Sequence, residues 1–178
     1  MLLDRGFDYT IVPVRSADSL DEPSRQSIRE FVFLEARLLD GRHFGDWLAL
    51  WSTDGRYWVP QHHDQDNPFD QISLFWEDAI LRETRVRRLR SSRGWSQQPV
   101  TRSIRLIGNV QIDGVDAFDR VIVRSSLHCT EYRFEQRHLV GEVFHKLEID
   151  AGGSCRLHLK RVNLVNCDSA FANLEVFL

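Results

Sequence analysis

The first half of the chain places its apolar residues at helical spacing. Asp21-Glu22-Pro23 is typical of a helix start, because acidic residues favour the helix N-terminus and proline tolerates the first turn. Residues 1–20 carry no sustained period and are predicted to form an N-terminal arm. The next residues predict a helix that ends at Asp40-Gly41. Its apolar stripe, interrupted by Glu35, consists of Ile28, Phe31, Val32, Leu38 and Leu39.

Two further helices and one strand are predicted before residue 100. The segment Arg56–Pro60 is rich in strand-forming residues and ends at a proline, and the polar segment 61–70 is predicted to be a loop. A short amphipathic helix is indicated by apolar residues at i, i+3, i+4 and i+7: Phe44, Trp47, Leu48 and Trp51. The spacing over 71–90 predicts another helix with one apolar face, formed by Ile72, Phe75, Trp76, Ala79, Val86 and Leu89.

After Pro99 the period changes from 3.6 to 2, which indicates consecutive long strands. In the third of these strands His145 lies in the apolar row, so its ring should point toward the helices or a cavity. Gly152-Gly153 is predicted to form the last hairpin. In the last strand the apolar positions shift by one residue between Leu159 and Val162, which predicts a bulge.

Helices followed by a run of long strands are typical of the α+β class. Strands of this length imply a strongly curved antiparallel sheet, with the helices packed on its concave face. Residues 21–178 are predicted to form a single domain, since no linker or internal repeat is visible.

Composition narrows the functional class. The chain has 178 residues and a formal net charge of −3, so no overall basic field favours nucleic acid. Its apolar runs are too short for a membrane-spanning helix, and Met1–Arg15 lacks the apolar core of a secretory signal. Three cysteines are too few and too odd in number for a disulfide framework, which fits a reducing cytoplasm.

The basic residues are almost all arginine. Lysine stands only at Lys146 and Lys160, so 21 of the 23 basic residues are arginine, and six of these fall between Arg82 and Arg93. Arginine suits interface ion pairs because its planar guanidinium meets carboxylates with two hydrogen bonds. We therefore rank a protein interface first for this segment, a solvated face second and nucleic acid third.

No motif for a metal or cofactor is complete. His62, His63, Asp64 and Asp66 could supply ligands, but a solvated polar loop is the favoured interpretation. A Rieske cluster needs two cysteine and two histidine ligands, and Cys155 with His158 has no partner pair. The sequence predicts no cofactor or metal in this chain.

The order of several short motifs resembles the small (beta) subunits of aromatic-ring-hydroxylating dioxygenases. The matching residues extend over most of 30–178 and include the Asn173–Leu178 tail. They are Glu35–Asp40, Trp47–Leu50, Asp54–Pro60, Glu77-Asp78, Leu81–Arg90, Trp95-Ser96, Pro99, Thr101, Arg102, Arg105 and Asn109-Val110.

This resemblance implies a cone of the nuclear-transport-factor-2-like (cystatin-like) kind and a catalytic alpha subunit as partner. That partner would carry a Rieske 2Fe-2S cluster and a mononuclear iron, in an assembly of three alpha and three beta chains with a beta trimer. The family's reaction inserts both atoms of dioxygen into an aromatic ring. Residues that match the family's motifs are expected to be interface or framework residues: Tyr57, Trp58, Pro60, Arg85, Arg88, Trp95 and Arg105.

An alternative is a stand-alone dehydratase or isomerase, because the same cone also resembles scytalone dehydratase and ketosteroid isomerase. His145, Tyr57 and Asp40 would then be acid/base groups in an open, polar cavity. A filled interior would instead favour the subunit.

Overall fold

A computed structural model describes residues 6–91, 98–171 and 174–178. Trp95, expected at an interface or in the framework, lies outside these residues. Within the described residues, three α-helices span Glu22–Asp40 (α1), Phe44–Ala49 (α2) and Ala79–Arg90 (α3), and a short 3-10 helix covers Ala17–Ser19. The strands are β1 (Trp51–Pro60), β2 (Ser73–Glu77), β3 (Arg102–Val115), β4 (Val121–Tyr132), β5 (Gln136–Ile149) and β6 (Cys155–Leu164).

The predicted first helix is confirmed, and its start has a clear cause. The Asp21 carboxylate accepts a hydrogen bond from the Ser24 N–H at 2.9 Å, which satisfies one of the free donors of the first turn. The predicted apolar stripe faces the sheet, and Glu35 is buried within it. The interruption of the stripe is therefore a charge placed in the core.

The helix predicted over 71–90 is wrong in its first part. Residues Ser73–Glu77 form β2, which pairs antiparallel with β1 and places Trp76 opposite Trp58. The Asp78 carboxylate then caps α3 by accepting from Leu81 N–H at 2.9 Å. Pairing with β1 outweighs the helical spacing of these residues, because tertiary context overrides local propensity. Trp51 likewise begins β1 rather than extending α2.

The six strands form one sheet in the order β2-β1-β6-β5-β4-β3. The predicted run of long antiparallel strands is confirmed for β3 to β6, and the hairpin at Gly152-Gly153 joins β5 to β6. The pairing of β1 with β6 is parallel, which the prediction of an antiparallel sheet missed. Strand period alone cannot reveal this pairing, because it depends on a partner distant in sequence.

The predicted bulge exists, but it lies earlier in β6. Lys146 pairs with Leu159 and Leu147 pairs with Leu157, so His158 is the extra residue. The bulge moves Lys160 and Val162 onto the face covered by α1, which we call the inner face, and Leu159 onto the outer face.

Residues 7–11 of the arm lie on the outer face, whereas Ala17 and Leu20 pack against the core of the inner face. Phe7 is buried on the outer face with Trp58 and Leu159. The Lys146 ammonium, fully buried, contacts Asp8 at 2.5 Å and Asp116 at 2.8 Å. These contacts attach the arm to the sheet, while the boundary between arm and domain at residue 20 stays a prediction.

Among the described residues, no helix has both the length and the hydrophobicity that a membrane span requires.

Candidate functional site

The C-terminal segment 174–178 lies against the inner face. Phe177 and Leu178 are fully buried. The Phe177 ring lies 4.3 Å from the Trp47 ring and 5.8 Å from the Tyr57 ring, measured between centroids. Burying an aromatic side chain of this size stabilises the fold by about 1.5–3 kcal/mol. The segment therefore completes the core between the helices and the sheet.

Side chains from β1 and α3 hold the backbone of this segment. The hydroxyl oxygen of Tyr57 accepts a hydrogen bond from Leu178 N–H at 3.1 Å. The Arg85 guanidinium donates to the carbonyl oxygens of Leu174 at 3.3 Å and Val176 at 2.9 Å. Hydrogen bonds from a charged donor contribute about 1.5–3 kcal/mol each.

Arg105 on β3 holds the same segment from the other side. Its guanidinium donates to the carbonyl oxygen of Phe177 and to the Asp40 carboxylate at the end of α1. Asp40 also accepts a hydrogen bond from the backbone N–H of Arg105 at 3.0 Å. Because Asp40 binds both the backbone and the guanidinium of Arg105, it orients the Arg105 side chain. We call Tyr57, Arg85 and Arg105 the C-terminal clamp.

Burial affects two titratable groups at the clamp, Tyr57 and the neighbouring Glu77. Burial raises the pKa of the Tyr57 hydroxyl well above its usual value, so the group stays neutral. The Arg85 guanidinium lies over the Phe75 and Phe177 rings at 3.9 and 4.3 Å. Burial also raises the pKa of Glu77, although its ion pair with Arg85 at 3.4 Å opposes this rise.

A buried network centred on Glu35 lies on the same inner face. Glu35 Oε1 accepts from Trp47 Nε1 at 3.0 Å and from Lys160 Nζ at 2.7 Å. Glu35 Oε2 lies 2.9 Å from His145 Nε2. Because a carboxylate only accepts hydrogen bonds, the imidazole carries its proton on Nε2.

Glu35, His145 and Lys160 shift one another's pKa values. Burial acts to raise the pKa of Glu35, but Lys160 and His145 outweigh it and hold that pKa well below its usual value. Burial lowers the pKa of His145 and that of Lys160, although Glu35 opposes both shifts. Glu35 is therefore a carboxylate with both oxygens engaged, and His145 is a neutral donor to it.

A family model described as "Ring hydroxylating beta subunit" matches residues 34–168 of the chain. The chain belongs to this family. The sequence resemblance is thereby confirmed, and the match extends from α1 to just beyond β6, so it includes the Glu35 network and the Asp40–Arg105 pair.

Two relatives show how varied the reactions within this family are. The chain is 33% identical to the 2-halobenzoate 1,2-dioxygenase small subunit of Burkholderia cepacia, over 79% of this chain and 88% of the relative. It is also 33% identical to the N,N-dimethyl phenylurea N-demethylase subunit beta of Sphingobium sp. (strain YBL2), over 95% of this chain and 99% of the relative.

A solved structure of naphthalene 1,2-dioxygenase with indole bound in the active site contains a chain of the same fold. The TM-score is 0.77 at 22% identity, over 93% of this chain and 91% of that one. This likeness confirms the α+β class that the period of the sequence indicates and the cone that the family resemblance implies.

The structure places most of the motif residues of this beta subunit in its own interior. Trp58 is fully buried on the outer face, where its Nε1 donates to the Ser73 hydroxyl at 3.0 Å. Pro60 is buried at the end of β1, while Arg88 on α3 is exposed. Trp58, Pro60 and the clamp residues are therefore part of the framework, whereas Arg88 is accessible to solvent.

The three residues of the alternative enzyme are held by three different partners. His145 bonds to Glu35, Tyr57 to the Leu178 N–H, and Asp40 to Arg105. The inner face around them is packed with aromatic and aliphatic side chains. A packed inner face is what the subunit hypothesis expects, so the dehydratase hypothesis has less support.

The candidate ligands of the polar loop do not converge. His62, His63, Asp64 and Asp66 are exposed. Within the described residues, the group of three His, Cys, Asp or Glu side chains whose ligand atoms come together lies elsewhere, on the outer face. The three cysteines are free, and Cys129 and Cys167 are buried.

Sequence reasoning missed two parts of the site. Glu35 was visible as a charge within an apolar stripe, and a buried carboxylate needs partners, so His145 could have been paired with it. The role of the C-terminal segment had a weaker signal: Val176, Phe177 and Leu178 form a short apolar run after the last strand.

Proposed function

We propose that this beta subunit assembles with a catalytic alpha subunit, as three alpha and three beta chains in the cytoplasm, and serves as its framework. The observation that carries the proposal is the inner face, which is occupied by the chain's own C-terminal segment and by paired charges. A face filled in this way supports the sheet and helices rather than a substrate. The Burkholderia and Sphingobium relatives, both named as subunits, support the need for a partner.

In this proposal the Rieske cluster, the mononuclear iron and the substrate pocket belong to the alpha subunit. The cluster and the iron would supply the dioxygen chemistry there, and the pocket would hold the aromatic compound. Substrate choice would then change mainly with the alpha chain. The halobenzoate and phenylurea activities named for the two relatives are consistent with one beta framework serving different catalytic partners.

The outer face of β3, β4 and β5 is the surface we propose for subunit contact. Leu106 is 72% exposed, and it lies opposite His128, which in turn lies opposite Val140. Residues opposite one another across strands share a face, so these side chains form one surface with exposed Ile104. Contiguous exposed apolar surface of this kind marks protein interaction sites.

Co-expression with a candidate alpha subunit tests the assembly. We expect the two chains to co-elute as a complex with equal numbers of each, and we expect iron to follow the alpha chain. Native mass spectrometry and metal analysis of the same fraction measure both. A beta chain that remains monomeric with every candidate alpha subunit would contradict the proposal.

The contact surface is tested by Leu106→Glu. A carboxylate at the centre of a desolvated contact removes an apolar anchor and adds an unpaired charge, so we expect complex formation to weaken by about 30-fold or more. Analytical ultracentrifugation of the mixed subunits measures this loss.

The matched control for that variant is Ile72→Glu. Ile72 is 80% exposed but directly precedes β2, at the opposite edge of the sheet from β3. We expect Ile72→Glu to assemble normally, and both variants should unfold at the temperature of the unmodified chain. Equal assembly of the two variants would show that the β3–β5 surface is not the contact.

A further inference from the structure

Three side chains with metal-ligating atoms meet where β6 bulges. His158 is the extra residue of the bulge, and its ring stacks on Phe7 of the arm at 4.5 Å between centroids. Asp54 on β1 and Glu148 on β5 approach the same imidazole from the two neighbouring strands. The cluster lies on the outer face, apart from the C-terminal clamp and the Glu35 network.

The His158 ring is buried without the hydrogen bonds that such a ring requires. Its side chain is 2% exposed, and within the described residues neither ring nitrogen has a hydrogen-bond partner. His158 Nδ1 does lie 3.2 Å from Glu148 Oε1 and 3.8 Å from Asp54 Oδ1, but without hydrogen-bond geometry. A buried polar atom left without a partner costs about 1–3 kcal/mol, so Nδ1, the ring nitrogen nearest both carboxylates, points to a ligand.

The spacing of these atoms fits a small divalent cation. The ligand atoms of the three residues all lie within 4.8 Å of one another. Zinc binds histidine nitrogen and carboxylate oxygen at about 2.0–2.2 Å in tetrahedral geometry, which places neighbouring ligand atoms about 3.3 Å apart. We propose that Asp54, Glu148 and His158 form a zinc-binding site, with a fourth position open to water.

The two cations beside the site are paired with carboxylates, one of which belongs to the site. Lys146 is engaged by Asp8 and Asp116, and Arg120 is shared between Asp8 and Glu148. Asp54 accepts a hydrogen bond from the Ser52 hydroxyl, and the Asp54 side chain is 63% exposed, which provides an entry path. Arg120 Nε lies 3.2 Å from Glu148 Oε1, so it competes directly with the metal for this oxygen.

Zinc titration of the full chain, expressed without a histidine tag and stripped with a chelator, tests the site. We expect one equivalent of zinc to bind, and cobalt to show the absorption of a tetrahedral complex. Asp54→Asn and His158→Gln should each weaken zinc binding by roughly tenfold or more. Arg120→Gln should strengthen binding, because it removes the competing cation. Isothermal titration calorimetry measures the zinc affinity of the unmodified chain and of the three variants.

The exposed histidine pair His128 and His138 provides the control, because its ring nitrogens lie 3.2 Å apart and could hold zinc adventitiously. The double variant His128→Gln/His138→Gln should bind zinc as the unmodified chain does. Asp54 is exposed, so Asp54→Asn keeps the test decisive even where His158→Gln fails to fold. Zinc binding that survives Asp54→Asn, or that disappears with the His128/His138 pair, would overturn the proposal, as would no binding at all.

Discussion

Replacing Glu35 by glutamine should destabilise the protein by about 3–5 kcal/mol, although the two side chains have almost the same shape. Lys160 would lose its only acidic partner within the described residues and would remain a buried, unpaired charge. The hydrogen bonds to Trp47 and His145 would weaken as well, because their acceptor would no longer be charged. Urea denaturation followed by circular dichroism measures the change in the free energy of unfolding.

Glu30→Gln is the matched control for this experiment. Glu30 lies on the same helix but is exposed, so we expect its replacement to change the free energy of unfolding by less than about 0.5 kcal/mol. A second variant, Glu35→Gln/Lys160→Met, removes both charges and should recover much of the lost stability. If the double variant is no more stable than Glu35→Gln alone, charge pairing is not the reason for the loss.

Phe177→Ala should cost about 3–5 kcal/mol, since it removes a buried ring and leaves a cavity between the helices and the sheet. The loss should lower the melting temperature by roughly 10 °C in a chain of this size. Arg85 and Trp47 would both lose a ring contact, so the C-terminal clamp would hold a less ordered segment. Differential scanning calorimetry gives the melting temperature.

Phe134→Ala makes the same chemical change at a residue that is 73% exposed, so it should leave the melting temperature nearly unchanged. Limited proteolysis adds a second measurement: Phe177→Ala should expose the C-terminal segment to cleavage under conditions where Phe134→Ala does not. Equal melting temperatures for the two variants would mean that the C-terminal segment contributes little to the core.

The elements that were predictable from the sequence are those whose burial pattern and caps are local. The strands β3, β4 and β5 follow from alternation because one face of each is buried over most of its length, and α1 follows from its stripe and from the Asp21 cap. β6 departs from strict alternation because residues 157–162 are buried on both faces. The segment 71–90 was mistaken because Phe75 and Trp76 fit a helical face as well as they fit β2. Only pairing with β1 decides between the two, and pairing is a long-range property.

The same reason explains why much of the candidate site was not predictable. Tyr57, Arg85 and Arg105 were singled out by motif, but their common partner is a segment at the far end of the chain. Hydrogen bonds to backbone carbonyl groups leave no trace in residue types. His145 could be placed on the inner face from alternation. Its contact with Glu35, however, depends on where α1 packs along β5, which the sequence pattern does not determine.

The parallel pairing of β1 with β6 also determines when the sheet can close. The Ser52 hydroxyl bonds to the Leu157 carbonyl oxygen across 105 residues of sequence, whereas β3, β4 and β5 each pair with the next strand along the chain. Closing the longer loop costs more chain entropy before any contact repays it. We expect the β3–β6 meander to form early during folding and the β1–β2 pair to dock late, so the N-terminal half acquires its native order only after the C-terminal half has formed.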